Sequence, residues 1–126
     1  MTRRAGAFLD SFRYASAGLR YLFTTQRNAR VQASVGAAAL LLGATLRISR
    51  AEWAVLVLLI ALILVLEALN SAIEATVDLV TSEYHPLAKI AKDLAAGAVW
   101  LLALASVAIG AIIFLPRLLA LVPGGR

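Results

Sequence analysis

Three carboxylates interrupt a segment that otherwise suits the interior of a lipid bilayer. The stretch EALNSAIEATVD, residues 67–78, follows fourteen uncharged and almost wholly aliphatic residues, 53–66. On a helix its polar side chains fall within about 100° of one another; they are Glu67, Asn70, Ser71, Glu74 and Asp78. Because a carboxylate that faces lipid costs several kcal/mol, this stripe must face protein, water or a bound cation. A functional site is the first interpretation. The alternative is a structural polar seam or snorkelling to the interface, above all for Asp78.

A second polar cluster follows in the segment after residue 78. Its members are Glu83, His85, Lys89, Lys92 and Asp93. Carboxylates suit a divalent cation and lysines beside them suit phosphate oxygens, so together they favour a nucleotide with its magnesium ion. A lone histidine before a proline is more often a turn residue than a ligand. The sequence contains no GxxxxGK loop and no kinase-type glycine loop, so a nucleotide site would have to be built differently.

The elements that must position these side chains are membrane helices. The chain is 62% hydrophobic and only 15% charged, whereas about a quarter of the residues of an average soluble domain are charged. Three runs lack charge, residues 31–46, 53–66 and 94–115, and only the last reaches the roughly 20 residues of a bilayer span unaided. With flanking residues they predict an all-α membrane protein, one domain over residues 1–126, with spans at about 30–48, 52–78 and 89–115.

An amphipathic helix is predicted before the first span, over residues 6–28. Phe8, Phe12 and Leu19 share one face, while Arg13, Arg20 and Arg27 recur every seven residues on another. This pattern is typical of a helix that lies in the membrane interface, and packing on other protein is the alternative. Ser49 is a candidate N-cap for the second span. Breaks are expected at His85 and Pro86, and regular structure is expected to end at Pro116, Pro123, Gly124 and Gly125.

Basic residues predict the orientation of the chain. Six arginines up to Arg30, with Lys89 and Lys92, lie on one side, against Arg47, Arg50, Arg117 and Arg126 on the other. The positive-inside rule therefore predicts a cytoplasmic N-terminus and a cytoplasmic loop at 79–93. The net charge of +5 suits anionic lipid headgroups rather than nucleic acid. Small residues in the spans, among them Gly36, Gly43, Gly97 and Gly110, favour close helix packing and a homo-oligomer.

Two long motifs resemble a known family. ExxNSAIExxVD, followed by SEYHPLAKxAKDxAAGAV, is similar to the bacterial integral-membrane diacylglycerol kinase and undecaprenol kinase family, and the likeness extends from Ser11 to Leu115. The resemblance implies a homotrimer with an N-terminal surface helix and three spans per subunit. It also implies transfer of the γ-phosphoryl group of ATP to a lipid alcohol at the cytoplasmic face of the bacterial inner membrane.

The resemblance also implies roles for individual residues. Glu67 would be the general base and would contact the lipid, Asn70 would position the reacting groups, and Glu74 would bind Mg²⁺ together with ATP. The nucleotide contacts would be Tyr14, Glu83, Tyr84, His85, Lys92 and Asp93. Arg20 and Arg30 are candidates for binding the lipid headgroup or the product phosphate.

Two positions depart from the family pattern. Gln26 stands where relatives usually carry a glutamate as a second metal ligand, so weaker affinity for Mg²⁺ is expected. Ala7 stands where some relatives have an arginine, for which Arg3 or Arg4 could substitute. The segments QRNARVQ, ISRAEW, AKDLAAGAV and IFLP resemble the undecaprenol kinase branch more closely, although apolar walls select poorly among lipid alcohols. Two other functions remain open, a catalytically weakened family member with an assembly role and a small cation transporter subunit.

Overall fold

Within residues 2–122 the chain forms four helices and no strand. A computed structural model describes these residues, and their side chains from residue 7 onward. The helices are α1 (Thr2–Thr25), α2 (Arg27–Thr45), α3 (Arg50–Val80) and α4 (Pro86–Ala120). The prediction of an all-α protein is therefore confirmed. The side chains of Arg3 and Arg4, the predicted breaks at Pro123, Gly124 and Gly125, and Arg126 lie outside the described residues.

α3 and α4 are long enough and apolar enough to cross a bilayer. Only 22% of the apolar window of α3 and 17% of that of α4 are buried inside the chain. A core helix of a soluble domain would be covered on most sides, so these surfaces must face lipid or other protein. Two of the three predicted spans thus meet the criteria for a membrane helix. α2 does not meet them, so a span at 30–48 stays a prediction.

A short turn and a capping box fix the start of α3. The turn between α2 and α3 is four residues long, 46–49, and Arg47 has a positive φ of 51°. The Ser49 hydroxyl accepts a hydrogen bond from the Glu52 amide at 3.3 Å, and the Glu52 carboxylate accepts one from the Ser49 amide at 2.7 Å. This reciprocal pair satisfies two amides at the helix N-terminus. The predicted N-cap role of Ser49 is confirmed.

α4 begins at the predicted break but ends later than expected. His85 is its N-cap, with the Leu87 amide donating to the imidazole Nδ1 at 3.2 Å. The helix then runs through Pro116 to Ala120, so the expectation that Pro116 ends regular structure was wrong. A proline removes a single helical hydrogen bond, and the turn around it is anchored. Arg117 donates to the Glu52 carboxylate through two nitrogens, each at 2.7 Å, and to the Ile113 carbonyl at 2.8 Å.

Among its described side chains, from residue 7 onward, α1 packs on the bundle only near its C-terminal end. Leu22 is buried, whereas Phe8 and Phe12 are largely exposed, so the helix rests on protein at one end and keeps apolar side chains free elsewhere. It ends at Thr25, and Gln26 is extended (φ −93°, ψ 112°) before α2 starts. The helix predicted over 6–28 is thus broken at Gln26, the residue singled out as a departure from the family.

Two glycines let α2 approach α3. A Cβ at Gly36 would lie 3.0 Å from the Ile60 side chain, and one at Gly43 would lie 2.9 Å from Ile48 and 3.3 Å from the Trp53 ring. The predicted close packing is confirmed at these two positions. Gly97 and Gly110 on α4 have open space around them instead, so they do not serve packing within this chain.

Replacing Gly43 with valine is expected to lower the thermal unfolding midpoint in detergent by roughly 5 °C or more, because overpacking a close contact costs about 1–3 kcal/mol. Gly97→Val is the matched control, since the same substitution there meets no atom within 4 Å. Static light scattering of both variants during heating gives the two midpoints. Equal midpoints for Gly43→Val and the parent protein would show that α2 does not depend on this contact.

Candidate active site

The carboxylate stripe lies on the buried face of α3. Glu67 is only 3% exposed and Ser71 7%, while Glu74 is half-buried and Asp78 is exposed. The stripe thus runs from the interior of the bundle to its surface, as its helical spacing predicts. Glu67 opens into a cleft of about 250 Å³ between α2, α3 and α4. The residues that line the cleft are Asn28, Val31, Gln32, Glu67, Asn70, Ala96, Val99, Trp100 and Ala103.

Asn70 lies between the two glutamates of the stripe and bonds to one of them. Its Nδ2 donates to Glu74 Oε1 at 3.1 Å, one helical turn along α3, and this bond fixes the orientation of both side chains. Its Oδ1 is buried and, among the described residues, has no hydrogen-bond partner. A buried polar atom without a partner costs free energy, so this oxygen is available for a ligand. Ser71 instead donates to the Glu67 carbonyl at 2.9 Å and is satisfied within its own helix.

The oxygen atoms around Asn70 fit a magnesium ion that is shared with a nucleotide. Carboxylate and amide oxygens are the hard ligands that Mg²⁺ prefers, and this ion usually keeps several water or phosphate ligands. Residues 7–122 contain no group of three or more His, Cys, Asp or Glu side chains that could hold a metal alone. In such a site Glu74 and Asn70 would supply protein ligands, and phosphate oxygens and water would supply the others.

A second groove, of about 300 Å³, lies where α3 ends and α4 begins. It brings together most of the predicted nucleotide contacts, namely Glu83, Tyr84, His85, Lys92 and Asp93, with Asp78 and Lys89. Lys92 pairs with Asp78 at 2.5 Å, and Lys89 pairs with Asp93. Glu74 lies one turn from Asp78 and two turns from Glu67 on the same face of α3, between the groove and the cleft.

The candidates on α1 and at its end do not line the cleft or the groove. Tyr14 is 72% exposed and Arg20 is exposed on α1. Gln26 is half-buried and, within the described residues, makes no capping hydrogen bond with its side chain. Arg30 donates to the carbonyls of Phe23 and Thr24, at 3.1 Å each, and so caps the C-terminus of α1. Their roles toward metal, nucleotide and lipid stay predictions.

Sequence reasoning missed two amides of the cleft. Asn28 and Gln32 lie on α2 across from Glu67, and their spacing of four residues places them on one helix face. That spacing in QRNARVQ was the available signal, but it does not reveal that the face meets α3. An apolar groove of about 410 Å³ shares Gln32 and Ala103 with the cleft and continues between the same three helices. The pair of cavities can take an amphiphile with its polar group at Glu67.

Comparisons with known proteins agree with the likeness in the motifs. The sequence model of the family described as prokaryotic diacylglycerol kinase matches residues 13–114. A diacylglycerol kinase of Synechocystis sp. is 49% identical over 114 residues, which are 90% of this chain and 65% of that protein. An undecaprenol kinase of Bacillus subtilis is 47% identical over 111 residues, 88% of this chain and 90% of the relative. A diacylglycerol kinase of Escherichia coli K12 is 34% identical over 86 residues, 68% of this chain. The chain therefore spans slightly less than two thirds of the Synechocystis protein and nine tenths of the Bacillus protein.

Proposed function

Because the chain belongs to the prokaryotic diacylglycerol kinase family, we propose that it transfers the γ-phosphoryl group of ATP to the hydroxyl of a membrane lipid, undecaprenol or diacylglycerol. The observation that carries the proposal is the position of Glu67. This carboxylate is 3% exposed and lines a cleft that shares Gln32 and Ala103 with an apolar groove. A lipid alcohol could place its hydroxyl at Glu67 while its chain remains among apolar side chains.

Glu67 is proposed to take the proton from the lipid hydroxyl as that oxygen attacks the γ-phosphorus. A general base must lie within hydrogen-bond reach of the proton it removes, and the cleft restricts the hydroxyl to that neighbourhood. The proton moves to the Glu67 carboxylate, the lipid oxygen forms a bond to phosphorus, and the bond between the γ-phosphorus and the bridging oxygen breaks to release ADP. Asn70 holds Glu74 in place through its 3.1 Å hydrogen bond.

Glu74 and the Asn70 carbonyl oxygen are proposed to bind Mg²⁺. When bound, the ion neutralises the charge on the phosphate oxygens. The phosphates would extend from Glu74 to Lys92 in the groove, where Glu83, Tyr84, His85 and Asp93 contact the rest of the nucleotide. Tyr14 would add a contact from α1, and Arg20 and Arg30 would attract the lipid headgroup or the product phosphate.

The proposed setting is the cytoplasmic face of the bacterial inner membrane, with a homotrimer as the assembly. Support for the orientation comes from the excess of basic residues in the N-terminal segment and the α3–α4 loop. The apolar surfaces of α3 and α4 that remain open within one chain support association with further copies and with lipid. Both features rest on the family and on charge, and cross-linking in the membrane tests the trimer.

Gln26→Glu is expected to lower the Mg²⁺ concentration that gives half-maximal activity, by severalfold. The amide oxygen of Gln26 in the parent protein can coordinate the ion but brings no charge. A carboxylate ligand would bind a hard cation more tightly. A titration of Mg²⁺ at saturating ATP measures the effect. An unchanged titration curve would place residue 26 outside the metal site. A gain in maximal rate would favour the alternative that the chain is a catalytically weakened family member.

Parallel assays of lipid acceptors test the proposed function. The purified protein in mixed micelles receives γ-labelled ATP and Mg²⁺ with diacylglycerol, undecaprenol or ceramide. Label in diacylglycerol or undecaprenol is expected, and the ratio of the two rates identifies the preferred lipid. Label in none of the three would contradict the proposal. Ion flux through reconstituted vesicles without ATP would favour the cation transporter instead.

A further inference from the structure

Asp78 forms an ion pair with Lys92, whose ammonium group binds phosphate in the proposed mechanism. Lys92 Nζ lies 2.5 Å from Asp78 Oδ1, and this contact joins the last turns of α3 to the start of α4 across fourteen residues. Lys89, the other lysine of the groove, is paired with Asp93. Each ammonium group in the groove therefore already has a carboxylate partner, and a phosphate must compete for it.

The groove as a whole also opposes a free polyphosphate. Its lining contains three carboxylates and two ammonium groups, and these five groups sum to a net charge of minus one. Such a lining repels uncomplexed ATP, whose charge is about twice that of its magnesium complex. Metal-bound ATP is repelled less, because the ion already offsets part of the negative charge of its phosphates.

From these contacts we infer that Asp78 makes the nucleotide groove select metal-bound ATP over uncomplexed ATP, because its carboxylate keeps the surroundings of Lys92 net negative. The inference rests on the proposed function in one respect, the contact of Lys92 with phosphate. Asp78 takes no part in the chemistry and acts through Lys92. Because the pair is exposed, with Asp78 64% and Lys92 37% accessible, the bond is weak enough to exchange in each turnover.

Asp78→Asn tests the inference. Displacement of a fluorescent ATP analogue from the purified protein in detergent, without lipid, measures the affinity for ATP with excess Mg²⁺ and with a chelator. The variant is expected to bind uncomplexed ATP about three- to tenfold more tightly and the magnesium complex about twofold more tightly, with both gains shrinking at high salt. Uncomplexed ATP should therefore become a stronger competitive inhibitor of lipid phosphorylation. Asp78→Glu should restore the selectivity of the parent protein.

Asp10→Asn is the matched control, because it removes the same charge from an exposed position on α1 outside the groove. Equal gains in the Asp10 and Asp78 variants would overturn the inference in favour of a general charge effect. Unchanged selectivity in Asp78→Asn would overturn it while lipid phosphorylation by the parent protein stands. A parent protein that binds ATP with the expected selectivity but labels no lipid would instead contradict the kinase proposal alone.

Discussion

Glu67→Gln is expected to lower the turnover number by a hundredfold or more, because a positioned general base contributes about 10²- to 10⁴-fold to a rate. Glutamine keeps the shape of the side chain and one acceptor oxygen but accepts no proton. Since Glu67 lies in the cleft and not in the nucleotide groove, the affinity for ATP should stay within about twofold of the parent value. Initial rates at saturating lipid and a separate displacement assay with a fluorescent nucleotide measure the two effects.

Ser71→Ala provides the control for Glu67→Gln. Ser71 is buried beside Glu67 but bonds only the carbonyl of its own helix, so its loss should leave most of the activity. If Ser71→Ala were as inactive as Glu67→Gln, any disturbance of this face of α3 would abolish function. Full turnover in Glu67→Gln would remove Glu67 from the mechanism.

Glu74→Gln is expected to lower kcat/KM for ATP by about a hundredfold at a fixed, low Mg²⁺ concentration, since it removes the negative charge from the proposed metal site. The glutamine carbonyl can still accept the hydrogen bond that Asn70 donates to Glu74, so the site should keep its shape. Part of the lost activity should return at high Mg²⁺ concentration, because mass action compensates for weaker binding. A Mg²⁺ titration of both proteins at several ATP concentrations gives the values.

Two outcomes would speak against this role of Glu74. A loss of activity that no Mg²⁺ concentration restores, together with a lower melting temperature, would indicate a structural seam along the stripe. A Mg²⁺ dependence equal to that of the parent protein would place the metal elsewhere. Asn70→Ala tests the same site from the other side, because it removes both the oxygen without a partner and the bond to Glu74.

Features that depend on local spacing could be predicted from the sequence. The helical period placed Glu67, Asn70, Ser71 and Glu74 on one face, and that face carries the buried Glu67 and Ser71. Ser49 caps α3 and His85 caps α4 because capping depends on a few neighbouring residues. The grouping of Glu83 to Asp93 in one groove likewise follows from their short separation along the chain.

Features that depend on contacts between distant helices could not be predicted from the sequence. Arg117 pairs with Glu52 across 65 residues, and the sequence around either residue does not indicate its partner. For the same reason Asn28 and Gln32 gave no sign that α2 turns them toward Glu67. For Pro116 a local rule gave a wrong prediction. Its tendency to end a helix is outweighed by the hydrogen bonds that hold the turn around it. α2 forms a third span only if lipid or other subunits cover its exposed faces, and these lie outside the single chain.

The most direct test of the account is transfer of label from γ-labelled ATP to lipid by the purified protein and by Glu67→Gln in the same lipid nanodiscs. The parent protein should form a phosphorylated lipid only when ATP and Mg²⁺ are both present. Glu67→Gln should form at least a hundredfold less while it still binds ATP. No labelled lipid from the parent protein, or equal labelling by the two proteins, would contradict the account.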